Sequence, residues 1–519
     1  MFEGENRLEK MFVLLTMCFA LFMAMLDNTV VNVALPTLAR KLGAGVSGLQ
    51  WIVDGYVLAF ASLMLTGGIL GDRYGRKRTF LTGLSIFTTA SLLCGLSPSV
   101  GYLIAFRGLQ GIGASLLMPG TLSIITVTFP AHERAKAIGI WAGVSGVALA
   151  LGPTLGGWLV EHAGWQSVFF LNVPIGIAGF LVGMRTIRES RSEQVRQLDI
   201  PGLLLGTGGL FSMTYGLIEA NQLGWSNPGI VASLVVAVVF FVLSVGYEKR
   251  AEHPMMPLSF FRIPAFSAGT SVAFAITLGM FGTFFFMSLY LQFVRGYSAF
   301  SAGLAFVPMT GMIIVTAPQA GRWASKHGSR APMTLGPVMT GTGLLLLSRI
   351  HTATPYAMLW PVFVMMGLGM GMTMTPMTAA VMNAVGAQRA GMGSAMTNTA
   401  RETGGVFGIA LLGTLLTTRL KSTLTTALAG VQMTASQRAA IIASGGHGTI
   451  EPKTLAGLSA PTQGAVLGAY RTAFLDGFHL ALLVAGVVLL LAAAVSYRFI
   501  PSGAPAREEV GSEVIAAAH

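Results

Sequence analysis

The sequence predicts an all-α protein that crosses a membrane many times, and three observations predict it. Of 519 residues, 53% are hydrophobic and only 10% are charged, against roughly 25% charged in soluble domains; the mean hydropathy is +0.70. The apolar residues gather into runs of about 20, the length a helix needs to cross a bilayer. Finally, the Lys and Arg residues behind the net charge of +12 sit singly or in small groups between those runs. There they act as orientation signals and not as a stripe for nucleic acid.

Scanned with a window of about 19 residues, the chain yields spans near 12–34, 51–70, 79–97, 101–127, 137–160 and 166–186, then 200–219 and 229–247. Six more lie near 266–290, 300–320, 332–348, 356–383, 399–418 and 474–497, about fourteen in all. An even number leaves both ends on one side. The basic loops Arg73 to Arg78, Arg134 with Lys136, Arg185 to Arg196, Lys249 with Arg250, and Arg322 to Arg330 all fall on the face holding the N-terminus. That face is expected to be cytoplasmic, in a multi-pass protein of the cytoplasmic membrane. The opening MFEGENRLEKMF places charges before an apolar run too long for a signal core and without a small-residue cleavage site, so it reads as a retained first span. Cys18 and Cys94 fall inside spans and are expected as small buried hydrophobes.

The chain is organised around Gly68 to Arg78, GILGDRYGRKR, expected as a short loop bending a helical hairpin. Its positive charges fix the bend on the cytoplasmic side, its glycines let the backbones approach, and Asp72 with Arg73 offers a charge pair at the lipid interface. A fainter copy follows in GRWASKHGSR. Setting Gly75 against Gly328 matches Gly68 with Gly321, Arg73 with Lys326 and Lys77 with Arg330, while Ser325 replaces Asp72. Such a repeat means two parallel halves related by an axis along the membrane normal, with the two spans at about 200–247 inserted between them. The expected units are a six-helix bundle over 1–190, a two-helix insertion with linkers over 191–255, and a second six-helix bundle over 256–500. The second bundle carries a long extracytoplasmic connection over 419–471, with a short amphipathic helix near Ser436 to Ala443. The tail at 501–519 reads as disordered.

An ionisable side chain inside hydrocarbon costs several kcal/mol and is a functional candidate by default. Asp27 in the first span, Arg107 opening the fourth, Asp54 in the second, and Arg401 with Glu402 beginning the thirteenth qualify. Burial favours the neutral form of a carboxyl and a nearby cation favours the ionised one, the opposed pulls a proton-loading group needs; the competing reading is a static ion pair. In the fifth span, Gly152-Pro153-Thr154-Leu155-Gly156-Gly157 combines a proline that bends the axis with glycines that allow a tight crossing. No phosphate-binding GxxxxGK[ST] loop, HExxH or metal-ligand cluster occurs in the spans.

Gly68-x-Leu70-x-Asp72-Arg73-x-Gly75-Arg76-Lys77-Arg78 resembles the loop signature of the major facilitator superfamily. Arg107-Gly-Leu-Gln110-Gly111-x-Gly113 is similar to its fourth-helix signature, and Gly152-Pro153-x-x-Gly156-Gly157 to the fifth-helix signature associated with antiporters. Asp27-x-Thr29-Val-Val-Asn32-Val-Ala-Leu-Pro36, WQSVFFLNVPIG from Trp165 to Gly176, Asp199-Ile-Pro-Gly202, Tyr290-Leu-Gln292 with Gly296-Tyr297-Ser298, and Arg401 to Gly405 resemble the branch with fourteen spans, the drug:proton antiporters. Ala148 departs from the antiporter pattern, which usually has another glycine there.

The resemblance implies the major facilitator fold and an exporter that alternates between inward-open and outward-open states as two bundles rock. It puts Asp27 and Arg107 in proton coupling and makes the fifth-helix signature a pivot. It also implies a conformational lock at Gly68, Asp72, Arg73, Gly75 and Arg76, for which charge and sidedness suggest Glu133 or Arg134 as partners. Soft and aromatic side chains adapt to varied apolar cargo, so Phe284, Tyr290 and Met374, with the polar Asn32, Gln110, Gln292, Asn383 and Asn398, form the expected cavity set. The expected cargo is a lipophilic, often cationic, drug or antibiotic exported by a monomer in exchange for protons. The proton motive force drives it, with no cofactor. A dedicated exporter of a native lipid, siderophore or metabolite shares every motif; a non-transporting scaffold or an importer is the further alternative.

Overall fold

The structure is a computed structural model that describes residues 2–129, 131–191, 199–251, 258–385, 390–446, 455 and 458–503. The regular elements of the described residues are helical, as expected where a backbone without water must satisfy its own hydrogen bonds. The first half contains α1 (Phe2–Leu42), α2 (Val46–Tyr74), α3 (Arg76–Gly95), α4 (Val100–Thr128), α5 (Ala131–Ala163), the short α6 (Ser167–Phe170) and α7 (Asn172–Thr186). The insertion is α8 (Ile200–Leu223) and α9 (Pro228–Glu248). The second half contains α10 (Pro264–Leu289), prolonged by a π-helical turn Tyr290–Val294, then α11 (Ala299–Ala305), α12 (Val307–His327), α13 (Arg330–Leu347), α14 (Tyr356–Val385), α15 (Ala390–Ala427), α16 (Ala435–Gly446) and α17 (Ala460–Phe499). Every expected span is helical, and among the described residues 10 segments are long and apolar enough to cross a membrane.

The two halves repeat one packing plan. In each, the second span lies on the fourth, the third on the fourth, the first on the fifth and the third on the sixth: α2 on α4, α3 on α4, α1 on α5 and α3 on α7, then α12 on α14, α13 on α14, α10 on α15 and α13 on α17. Each half is therefore one six-helix bundle. The repeat also holds at the hairpin bends, where Gly75 (φ 118°) and Gly328 (φ 94°) each end one helix in a conformation that side-chain-bearing residues rarely adopt. Their N–H groups donate back to the Gly71 and Ala324 carbonyls at 3.0 and 2.8 Å. We call the side holding these bends the basic face and the opposite side the far face.

Two expectations need correction. The stretch Gly68 to Arg78 is not a loop: α2 runs to Tyr74 and α3 starts at Arg76, so Gly75 alone is the turn. A single residue with positive φ reverses the chain, which leaves Asp72 and Arg76 on helix ends. The long connection at 419–471 is also shorter than its composition suggests, because α15 continues to Ala427 and α17 begins at Ala460. Leu420, Leu424 and Val466 on those extensions are buried, so apolar packing beyond the bilayer prolongs both helices. The expected short helix exists as α16. The tail from 504 onward lies outside the described residues.

The insertion is asymmetric. Only Ile230, Ala237 and Glu248 of α9 are buried, and its remaining Val-rich surface suits lipid. α8 packs against α9 and also against α2 of the first bundle and α15 of the second.

Candidate functional site

Asp27 and Arg107 meet. Arg107 Nη1 donates to Asp27 Oδ2 at 2.5 Å and to Gln110 Oε1 at 2.7 Å, and Nε donates to the Ile52 carbonyl at 3.0 Å. The other Asp27 oxygen accepts from Gln110 Nε2 at 3.0 Å and from Asn172 Nδ2 at 2.9 Å. Both amides also donate to Ser91 Oγ, at 3.2 and 3.0 Å. The guanidinium stacks over Tyr56 at 4.3 Å, with Phe169 at 5.8 Å. The side chains of Asp27 and Arg107 are 0% exposed, so α1, α2, α3, α4, α6 and α7 are tied together at one polar knot inside the first bundle.

Asp27 is therefore paired with Arg107 and enclosed. Gln110, expected in a substrate cavity, is a member of the knot. Asn172, Ser91 and Tyr56 escaped the sequence reading. Asn172 lies in WQSVFFLNVPIG, where an amide inside an apolar run is the signal; Ser91 and Tyr56 carry none, since both residue types are common in membrane helices.

A second constellation lies between the bundles. Ser288 Oγ and Gln292 Nε2 of the second bundle donate to the Asn32 and Val33 carbonyls of α1 at 2.9 and 3.0 Å. Gln50 Nε2 on α2 donates to the Ile409 carbonyl on α15 at 2.8 Å. Asp54 stands one turn from Gln50 on the same face of α2, and Glu402 two turns from Ile409 on the same face of α15. Because α2 and α15 run antiparallel, this register sets Asp54 and Glu402 at the same seam. Among the described residues, both Asp54 oxygens and Glu402 Oε2 are buried without a hydrogen-bond partner, as are Asn28 Oδ1 and Asn32 Oδ1. Arg401 and Glu402 do not begin their helix; α15 starts at Ala390. Arg401 Nη1 donates to Asn398 Oδ1 at 3.5 Å.

The fifth-helix signature divides its work. A Cβ on Gly152 would meet Thr29 and one on Gly156 would meet Val30, so these two glycines seat α5 on α1 within one bundle. Gly157 instead faces the other bundle, where a Cβ would lie 2.4 Å from the Ala299 carbonyl oxygen. Gly303 returns the contact, with a Cβ 2.1 Å from the Pro153 carbonyl oxygen. Glu161 Oε2 accepts from the Phe300 N–H at 3.1 Å. These contacts, with those of Gln50 and Gln292, close the bundles together toward the far face.

At the basic face, Asp72 pairs within its own bend. It accepts from Arg76 Nε and Nη2 at 3.0 and 2.9 Å, while Arg73 lies over Tyr74. Glu133 accepts from Lys10 at 3.1 Å, and the Arg134 side chain lies outside the described residues. The partner of this bend is Glu189, which accepts from the Lys77 and Arg78 N–H groups at 3.1 and 3.3 Å. A carboxylate there satisfies free donors at the α3 N-terminus and complements its dipole. Nearby, a cavity of about 180 Å³ is lined by Glu9, Lys10, Val127 and Arg188, away from the seam. Gly68 packs on Pro119.

The remaining cavity candidates scatter. Phe284 packs on Phe306 at 5.0 Å, and Tyr290 stacks on Phe478 at 5.5 Å while donating to the His351 carbonyl; both rings are buried among side chains of the second half. Met374 and Asn398 are half-buried and Asn383 is exposed near the end of α14.

Residues 17–409 match the family described as Major Facilitator Superfamily. The chain is 36% identical over 490 residues to the tetracenomycin C resistance and export protein of Streptomyces glaucescens, covering 93% of this chain and 90% of that one. It is 36% identical over 406 residues to the multidrug resistance protein Stp of Mycobacterium tuberculosis, covering 78% and 75%. The fold is similar to the crystal structure of a bacterial homologue of the human lysosomal transporter Spinster, with a TM-score of 0.64, 16% identity and coverage of 95% and 99%. With its repeated six-helix bundles, and with these matches over most of its length, the chain belongs to the major facilitator superfamily.

Proposed function

We propose that this chain exports lipophilic, often cationic, small molecules across the cytoplasmic membrane in exchange for protons, with its basic face in the cytoplasm. The observation that carries the reading is the pair of carboxyl groups Asp54 and Glu402: among the described residues, both Asp54 oxygens and Glu402 Oε2 are buried without a hydrogen-bond partner, on the faces of α2 and α15 that carry the contact from Gln50 to Ile409. An ionised carboxylate without a partner is costly to bury, so such a group takes up a proton or a cation. A site on the seam is exposed when the seam parts, and a ligand that favours one arrangement of the bundles shifts the balance between them. The Asp27–Arg107 knot has a different part: it holds the first bundle together as a rigid body and couples its charge state to that body's shape. Relatives named for export of tetracenomycin C and for multidrug resistance support a small-molecule cargo.

The test is efflux of a fluorescent lipophilic cation from vesicles under an imposed pH gradient, for the parent and for Asp54→Asn and Glu402→Gln. The gradient is expected to drive efflux in the parent and to lose at least tenfold of its effect in each variant. A parent indifferent to the gradient defeats proton coupling; variants that match it defeat the assignment to the seam. A dedicated exporter of one native metabolite is the second reading, favoured by the relative named for a single compound. It is distinguished by saturable transport of one compound and none of unrelated cations.

A further inference from the structure

The inserted helix α8 is attached to both bundles by polar contacts that a lipid-facing helix does not need. Toward the first bundle, Glu219 Oε1 accepts from Ser47 Oγ at 2.9 Å and from Trp51 Nε1 at 2.8 Å, both on α2. The Trp51 ring also lies 6.0 Å from Phe211 and 6.4 Å from Tyr215 of α8. Toward the second bundle, Thr414 Oγ1 on α15 donates to the Leu217 carbonyl at 2.6 Å. Thr214, Ile218 and Ala220 on the inner side of α8 are buried. The helix thus lies over the seam where Gln50 reaches Ile409, in the half toward the far face.

We propose that α8 is a clasp between the bundles: it travels with the first bundle and releases the second through its Thr414 contact whenever the far face opens. The imbalance of attachments sets the direction. Two side-chain donors converge on one carboxylate, where hydrogen bonds to a charged group are the stronger kind, and an aromatic cluster adds to them. Among the described residues, the other side offers a single neutral hydroxyl to a carbonyl already within a helix. When α2 and α15 separate, the weaker attachment yields, so the insertion adds a term to the balance between far-face-closed and far-face-open states. Its outer partner α9 anchors the assembly in lipid. The proposal rests on the rocking of the two bundles put forward above.

Spin-label distances in the full-length protein, reconstituted in lipid nanodiscs, test it at acid and at alkaline pH. Labels go at the exposed positions Leu223 (α8), Leu96 (first bundle) and Ser422 (second bundle). The distance from 96 to 422 is expected to take two values, the distance from 223 to 422 to change with it, and that from 223 to 96 to stay fixed. A 223–96 distance that changes while 223–422 stays fixed overturns the assignment. A 96–422 distance with a single value under all conditions overturns the rocking itself, and the clasp with it. Thr414→Val is expected to raise the open population by roughly fivefold, the scale of one net hydrogen bond, and Thr414→Ser to restore it. Thr414 also bonds the Ala410 carbonyl within its own helix, and serine keeps that bond together with the one to Leu217, so the valine and serine pair tests the hydroxyl while the label distances test the clasp. Valine and serine variants with the same populations as the parent overturn the proposal.

Discussion

Replacing Asp27 by asparagine separates a static ion pair from a coupling device, provided stability and flux are both measured. The substitution removes the charge that faces Arg107 across 2.5 Å in a site 0% exposed on both sides. Removing one partner of a buried pair costs about 3–5 kcal/mol because the other charge stays behind. Arg107 would retain Gln110 Oε1 and the Ile52 carbonyl, but an amide that keeps its oxygen for Nη1 turns its own donor toward the Gln110 and Asn172 donors, so the expected loss is at least about 3 kcal/mol. That is roughly a hundredfold in the ratio of folded to unfolded protein, visible as a lowered thermal midpoint in detergent. The companion is Asp27→Asn with Arg107→Gln, which removes both charges. Exchange of a whole buried pair for neutral groups is often close to neutral in stability, so this variant is expected to regain most of the loss. Flux should not follow: if the knot's charge state is part of the cycle, the double variant folds and is unresponsive to a pH gradient. A double variant as stable as the parent and equally driven by the gradient refutes a coupling role and leaves the pair as scaffolding.

Gly157→Val introduces a side chain where a Cβ alone lies 2.4 Å from a backbone oxygen; the far face is expected to stay open, with efflux down at least tenfold and a cysteine at Ala299 labelled from that side. Glu161, beyond the fifth apolar run, is held below the usual carboxylate range by a hydrogen bond from Ser298 and then by the Phe300 N–H. A depressed value means the contact contributes above the ordinary carboxylate range and is lost as pH falls through the lowered one, so far-face labelling should rise on strong acidification and Glu161→Gln should flatten that response. Gly75→Ala forces a positive φ of 118° on alanine and sets its Cβ 2.6 Å from Glu189 Oε1; a loss of about 1–2 kcal/mol is expected from the backbone alone. Adding Glu189→Ala should relieve the crowding but not the strain, and full recovery of the thermal midpoint would contradict this account.

What was legible followed from local chemistry. Hydropathy placed every span because a crossing helix has no alternative to a long apolar run, and Gly75 and Gly328 marked the repeat because only glycine takes that turn cheaply. Asp27 and Arg107 stood out because charge inside hydrocarbon is rare. Partnership was less legible, since it depends on which faces meet: Gln110 reads as a cavity residue until Asp27 of α1 and Ser91 of α3 are brought to it, and Phe284 and Tyr290 are packed against Phe306 and Phe478. Glu189 was hidden for another reason. Its role depends on a chain segment returning after more than a hundred residues to the start of α3, and no spacing rule reports that.

The division of the charged residues also limits how protons can act. A carboxyl enclosed by Arg107, Gln110 and Asn172, all within the first bundle, meets water only if that bundle itself loosens. Asp54 and Glu402 need no such loosening: the same parting of α2 from α15 that breaks the Gln50 contact uncovers them. A buried carboxyl without a hydrogen-bond partner costs less when a proton neutralises it or a cation faces it, so either ligand lowers the cost at that seam. Competition between a cationic cargo and a proton for that seam would give exchange without any direct contact between the cargo and Asp27. On this argument Asp54→Asn should weaken cation binding and proton drive together, whereas an Asp27 variant should change the rate of the cycle and leave equilibrium cation binding in detergent within about twofold of the parent, since one such interaction is worth little to a distant site.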